Sequence, residues 1–203
     1  MTTRLLVFAK APVPGQVKTR LIPAIGAEQA ATLHQDLMQR TVATVCQTHL
    51  PVELWCAPDI HHPALATLIK THALLPRTQY GPDLGTRMSH AAVTTLAGAD
   101  AVILVGTDCP TLCPADIEQA QAALTKGANV VLGPAEDGGY WLLGLRRHHP
   151  ELFSEIPWGS DSVLALTRER LRNLNWHWHE LSVRYDVDRP EDLARWMQIQ
   201  AGA

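Results

Sequence analysis

Short apolar runs alternate with stretches of helical periodicity along almost the whole chain. Leu5-Leu6-Val7-Phe8-Ala9 is unbroken, as expected of a strand buried on both faces. Ala101-Val102-Ile103-Leu104-Val105 has the same character and reads as a central strand. Further strands are expected over 52–56, 73–79, 129–132, 140–145 and 176–183. Ala30, Leu33, Leu37, Met38, Val42 and Val45 recur at helical spacing and predict a helix from Ala27 to about His49. Other helices are expected over 63–72, 87–96, 160–173 and 190–200, and from Pro114 onwards. Proline at Pro114 suits a first helical turn, and Asp116 and Glu118 then lie at the positive end of the helix dipole. Strands alternating with helices predict an α/β fold: a Rossmann-like, mostly parallel central sheet flanked by helices. The 203 residues carry no internal repeat and no linker, so residues 1–203 read as a single domain.

Charge and composition narrow the function classes. The formal net charge is −3, whereas a general nucleic-acid binder is usually basic, so no nucleic-acid partner is expected. Small anionic substrates stay open, because one local basic loop suffices for them. Cys46, Cys56, Cys109 and Cys113 show no CxxC spacing and are too few for a disulfide framework, which suggests reduced thiols and a cytoplasmic location. Only five apolar residues separate Arg4 from Lys10, too short a run for a signal peptide, and no stretch reaches the roughly 20 apolar residues of a membrane span.

Three polar turns each follow a predicted strand. If those strands are parallel, the turns open on one edge of the sheet, where open α/β sheets bind ligands. The first runs from Lys10 to Leu21 and holds two of the four lysines, Lys10 and Lys18, together with Gly15, Thr19 and Arg20. Cations and free backbone N–H groups are what a polyphosphate needs, although a solvated basic loop has the same composition. It matches neither the P-loop nor the dinucleotide fingerprint. The second turn is Gly106-Thr107-Asp108-Cys109-Pro110. Asp108 there can be a Mg²⁺ ligand, completed by waters and substrate phosphates, or the cap of the next helix. The third is Glu136-Asp137-Gly138-Gly139-Tyr140, either a plain hairpin turn or a close-approach site for a ligand. A fourth acidic segment, Asp186-Val187-Asp188, precedes the last helix, and alternation in extended chain predicts that only one of its aspartates faces a site.

Together these segments resemble the selenodomain-associated transferases, short bacterial glycosyltransferase-like proteins of the glycosyltransferase A superfamily. The shared pattern is Phe8 through Leu21 (F-x-K-x-P-x-x-G-x-x-K-T-R-L), Asp83-Leu84-Gly85-Thr86-Arg87-Met88, Gly106–Pro110 and Glu136–Tyr140. The resemblance implies a nucleotide-diphospho-sugar transferase-like domain with the nucleotide at the carboxyl edge of the sheet. It implies a Mg²⁺ (or Mn²⁺) dependent transferase taking a nucleotide-activated sugar and passing it to a small-molecule acceptor. By the same resemblance, Asp108 and Asp188 hold the metal, and Lys18, Arg20, Asp108 and Asp137 form the catalytic set. Lys10, Gly15, Lys18, Thr19, Arg20, Arg87, Gly138 and Gly139 contact nucleotide, phosphate or an acceptor anion. The superfamily's D-x-D is here Gly106-Thr107-Asp108, with one acid. That departure keeps two alternatives open: nucleotidyl transfer from an NTP with release of pyrophosphate, and nucleotide binding without catalysis.

Overall fold

Successive residues of β1 (Thr3–Lys10) enter two different cores, Leu5, Val7 and Ala9 on one face and Leu6 on the other. β4 (Ala101–Val105) divides in the same way, with Ile103 and Val105 on the first face and Val102 and Leu104 on the second. Both strands are therefore buried on both sides, which explains their unbroken apolar sequences. In the computed structural model, which describes residues 1–201, they sit at the centre of a seven-stranded sheet. The remaining strands are β2 (Val52–Ala57), β3 (Leu75–Thr78), β5 (Val130–Pro134), β6 (Tyr140–Leu145) and β7 (Trp178–Glu180), and the order is β3-β2-β1-β4-β6-β5-β7. Only β6 runs antiparallel, to both β4 and β5. Two reversals restore direction, so β1, β4 and β5 all point the same way and the turns that follow them share one edge.

The helices are α1 (Ile22–Ile25), α2 (Ala27–Val45), α3 (Pro63–His72), α4 (Leu84–Leu96), α5 (Pro114–Thr125), α6 (Val163–Asn173) and α7 (Leu193–Ala201). Residues of α2, α3 and α5 cover the first face, through Met38, Val42, Leu65, Ile117 and Leu124. Residues of α4 and α6 cover the second, through Met88, Ala91, Leu164 and Leu171. A third, smaller cluster positions the site. It packs Leu21 at the end of the basic loop against Leu33 and Leu37 of α2, Tyr185 and Val187 ahead of α7, and Trp196 within it. Fully burying one such aliphatic side chain contributes about 1.5–3 kcal/mol, so this cluster holds the Lys18 loop against the Asp186–Asp188 segment.

The mostly parallel Rossmann-like sheet agrees with the sequence reading, and several element ends differ. The basic turn from Lys10 to Leu21 ends in a 3₁₀ turn at Thr19–Leu21 and runs on into the short α1, with Pro23 in its first turn. α2 stops at Val45 rather than near His49, because the amide of Cys46 closes the last turn on Val42 and a turn follows. α4 begins at Leu84, three residues early, because Asp83 caps it by accepting the amide of Thr86 at 2.8 Å. The strand expected over 176–183 is ordered as β7 for only three residues, after which a single bridge, Ala135 to Arg184, continues the pairing.

Candidate active site

The basic loop folds back so that Lys18 enters the protein. Lys18 has φ +48°, an uncommon conformation for a residue with a side chain. Its buried ammonium lies 2.6 Å from Asp108 Oδ1 and donates to the carbonyl of Val187 at 2.6 Å. One lysine thus ties together the loop after β1, the turn after β4 and the segment before α7. The amide of Val187 also donates to the carbonyl of Asp108 at 2.9 Å. Beside this junction Arg20 pairs with Asp188 at 2.5 Å. The main-chain N–H groups of Gly15, Val17 and Lys18 find no main-chain acceptor among the described residues, and Gly15 and Thr19 lie on the exposed rim of the loop.

Asp108 does not cap α5. That cap is Cys113, whose amide is accepted by Asp116 at 2.9 Å. Enclosure works to raise the Asp108 carboxyl, but the charge and hydrogen bond of Lys18 outweigh it, His34 adding to this only when protonated, and hold the pKa below the ordinary value. His34 was not singled out in the sequence. It projects from α2, with Nε2 3.0 Å from the carbonyl of Lys10 and Nδ1 3.9 Å from Asp108 Oδ1. Burial lowers its pKa and Asp108 opposes this, the net effect favouring the neutral ring. Its signal in the sequence was a polar residue within the apolar stripe of α2, between Ala30 and Met38.

A cleft of about 280 Å³ opens from this junction along the carboxyl edge, and Arg20, Asp108, Asp137, Asp186 and Asp188 all line it. Both acids of the Asp186-Val187-Asp188 segment reach the cleft, against the expectation that only one would. Strict alternation fails because the chain turns here: the amides of Asp188 and Arg189 both donate to Asp192 in the 3₁₀ turn Pro190–Asp192. Asp186 is the more strained of the two. Its Oδ1 is buried without a hydrogen-bond partner. Burial pushes its carboxyl up to about 7, with Asp108 and Asp137 adding to the rise and Lys18 opposing it.

The third turn is a hairpin between β5 and β6, and it also belongs to the cleft. Asp137 Oδ1 accepts the amide of Gly139 at 3.0 Å, and Asp137 and Gly139 both line the cavity. Gly138 approaches its own chain closely. A Cβ there would lie 2.1 Å from the carbonyl oxygen of Asp161, and φ is +88°. Gly138→Ala should therefore destabilise the fold by about 2–4 kcal/mol, read as a lower denaturation midpoint. Gly85 has a comparable role in the Asp83–Met88 segment, since a Cβ would lie 2.1 Å from Trp158 Nε1. Two further site candidates stand beside the cleft lining. Arg87 Nε donates to the carbonyl of Gly81 at 2.8 Å. Lys10 Nζ donates to the carbonyl of Gln16 at 2.7 Å and so closes the loop on itself.

The family model described as "Uncharacterized protein conserved in bacteria (DUF2064)" matches residues 37–160, more than half of the chain. The chain belongs to the DUF2064 family. That match includes Asp108 and the Glu136–Tyr140 turn, and stops short of both the Lys18 loop and Asp188. Those segments fall within a broader likeness between this DUF2064 chain and a crystal structure of a candidate nucleotide-diphospho-sugar transferase from Desulfovibrio desulfuricans G20. The two are 32% identical with a TM-score of 0.83, over 93% of this chain and 84% of the other. Two more distant structures share the fold. A CMP:2-keto-3-deoxy-manno-octonic acid synthetase complexed with CTP is 14% identical, with TM-score 0.63, over 100% of this chain and 99% of that one. Glucosyl-3-phosphoglycerate synthase from Mycobacterium tuberculosis, complexed with Mn²⁺, UDP and glucosyl-3-phosphoglycerate, is 12% identical, with TM-score 0.57, over 98% of this chain and 76% of that one. A search among curated proteins finds no match. The glycosyltransferase A-like fold implied by the sequence motifs is thus the fold of this DUF2064 chain.

Proposed function

We propose that residues 1–203 work as one nucleotide-diphospho-sugar transferase-like domain, moving a sugar from a nucleotide donor to a small acceptor with the help of Mg²⁺ or Mn²⁺. The observation that carries this reading is the Lys18–Asp108–Val187 junction beside the Arg20–Asp188 pair, at the mouth of a carboxyl-edge cleft. The likeness to the candidate transferase from Desulfovibrio desulfuricans G20 supports it. In this reading the free amides of the basic loop, together with Lys18 and Arg20, bind the donor diphosphate. Gly15 and Thr19 leave the rim of that loop open to the phosphates.

Asp108, Asp186 and Asp188 are the oxygen donors a hard divalent cation takes, and Asp186 offers a buried oxygen without a partner among the described residues. No three acids among the described residues are already drawn together as a metal cluster, and Asp108 and Asp188 are paired with Lys18 and Arg20, so metal binding there would compete with these pairs. Asp108 would hold the ion together with Asp188 or Asp186. The bound ion would supply charge neutralisation on the leaving diphosphate. Lys18 and Arg20 add to that stabilisation as negative charge grows on the leaving oxygens. Asp137, held by the amide of Gly139, would orient a hydroxyl and accept its proton.

The cluster of cations in the basic loop also suits a triphosphate, so nucleotidyl transfer is the second reading. Incubation with nucleotide sugars and with NTPs separates the two. Release of nucleoside diphosphate from a nucleotide sugar is the expected result. Release of pyrophosphate from an NTP, with nucleotide sugars left intact, would replace the first reading with the second. Tight Mg²⁺-nucleotide binding without turnover of any donor would leave only a binding protein.

A further inference from the structure

The cleft lining combines two kinds of surface. Asp108, Asp186, Asp188 and Arg20 form its charged part. Trp158 and Tyr140, packed edge to face with centroids 6.2 Å apart and planes at 86°, form an apolar part with Met88 and Val163. Asp137 and Ser160 are further polar groups of the lining, and Asp137 is near enough to Asp186 to raise its pKa. Among the lining residues Arg20 is the one cation, and it is already paired with Asp188. Even with Lys18 counted, two cations face four acids, Asp108, Asp137, Asp186 and Asp188, of which burial keeps Asp186 partly protonated at neutral pH. Arg87 is absent from the cleft lining, and its Nε donates to the carbonyl of Gly81. A donor diphosphate with its divalent ion brings little net charge, so it leaves this imbalance in place.

We propose that the acceptor is a neutral molecule with a flat apolar body, packed against Trp158 and presenting a hydroxyl to Asp137, and that phosphorylated or carboxylated acceptors are excluded. This rests on the nucleotide-sugar reading above and names its acceptor class. An anion here would lose hydration beside like charges with no free counter-ion, a juxtaposition that costs several kcal/mol. A ring on an aromatic wall gains from burial and from edge-to-face contact. In the transfer, the acceptor oxygen forms a bond to the anomeric carbon of the donor sugar. The bond from that carbon to the diphosphate oxygen breaks, its electron pair leaves with the nucleoside diphosphate, and the acceptor proton passes to the Asp137 carboxylate.

Saturation-transfer NMR on the whole protein with Mg²⁺ tests the charge rule directly, using 2-phenylethanol and 2-phenylethyl phosphate as matched probes. The alcohol is expected to bind at least about ten-fold more tightly than the phosphate, a difference of about 1.4 kcal/mol. Its ring signal should weaken in Trp158→Ala. In Asp137→Asn, which changes charge without changing shape, the preference over the phosphate should narrow. Equal or tighter binding of the phosphate, or no ring saturation by either probe, overturns the proposal. Melting temperatures with Mg²⁺ and nucleotide sugars are read alongside. A donor shift combined with a failed probe test removes only the acceptor class, whereas no donor shift removes the nucleotide-sugar reading itself.

Discussion

Asp108→Ala is expected to lower turnover of a nucleotide donor by at least about 100-fold, the scale on which a group stabilising transition-state charge acts. Asp108 is the point where Lys18, His34 and the Val187 segment meet; its Oδ1 is enclosed, but the side chain as a whole is 44% exposed and remains accessible from the cleft. The variant should also release the Lys18 ammonium from its 2.6 Å contact. Donor affinity without metal is therefore expected to fall less than turnover does. Steady-state rates with a nucleotide sugar, together with donor titrations with and without Mg²⁺, check both parts. A loss of only a few-fold in turnover would contradict any metal-binding role for this residue.

Asp186→Asn is expected to stabilise the protein at neutral pH while impairing it. The carboxyl stands at about 7 against an ordinary 3.8, so the folded state holds this proton more tightly than the unfolded chain does. Its contribution to stability is then full below 3.8, falls as pH rises towards about 7, and is flat above that. The amide cannot ionise and removes this slope. At pH 8 the gain should be about 2 kcal/mol, or about 4–8 °C in melting temperature for a chain of this size. The same substitution should weaken the response to Mg²⁺, because it removes a charged oxygen from the acid cluster. Melting curves from pH 4 to pH 9 decide the matter. A variant whose slope between pH 4 and pH 7 equals that of the wild type would show that Asp186 carries no such strain. Stability withheld at a cluster of like charges is the pattern expected where those charges serve binding.

The strands were legible because burial on both faces leaves continuous apolar runs, as in β1 and β4. Helix α2 was legible from its apolar stripe. The reversed direction of β6 was not, since Tyr-Trp-Leu-Leu-Gly-Leu reads alike in either direction and only the Asp-Gly-Gly turn hinted at a hairpin. The basic loop, Asp108 and Asp137 could be marked as residues at strand ends, because a parallel sheet brings such ends together. The contact of Lys18 with Asp108 spans 90 residues of chain and depends on the third apolar cluster, which no local pattern reveals. Arg87 and Lys10 illustrate the opposite limit: each donates to a nearby carbonyl oxygen, a contact that charge and spacing do not reveal. At Gly138 the space a Cβ would take is filled by the main chain of Asp161, which the Asp-Gly-Gly sequence does not show either.

The most direct test is a melting-temperature panel of nucleotide sugars and NTPs against wild type and Asp108→Ala, with and without Mg²⁺. At about 100 times its dissociation constant, a donor bound in the cleft should stabilise the wild type by roughly 2.7 kcal/mol. The shift should require Mg²⁺ for its full size and shrink in Asp108→Ala. No shift with any nucleotide, or one indifferent to both Mg²⁺ and Asp108, would contradict a nucleotide-dependent transferase centred on this residue.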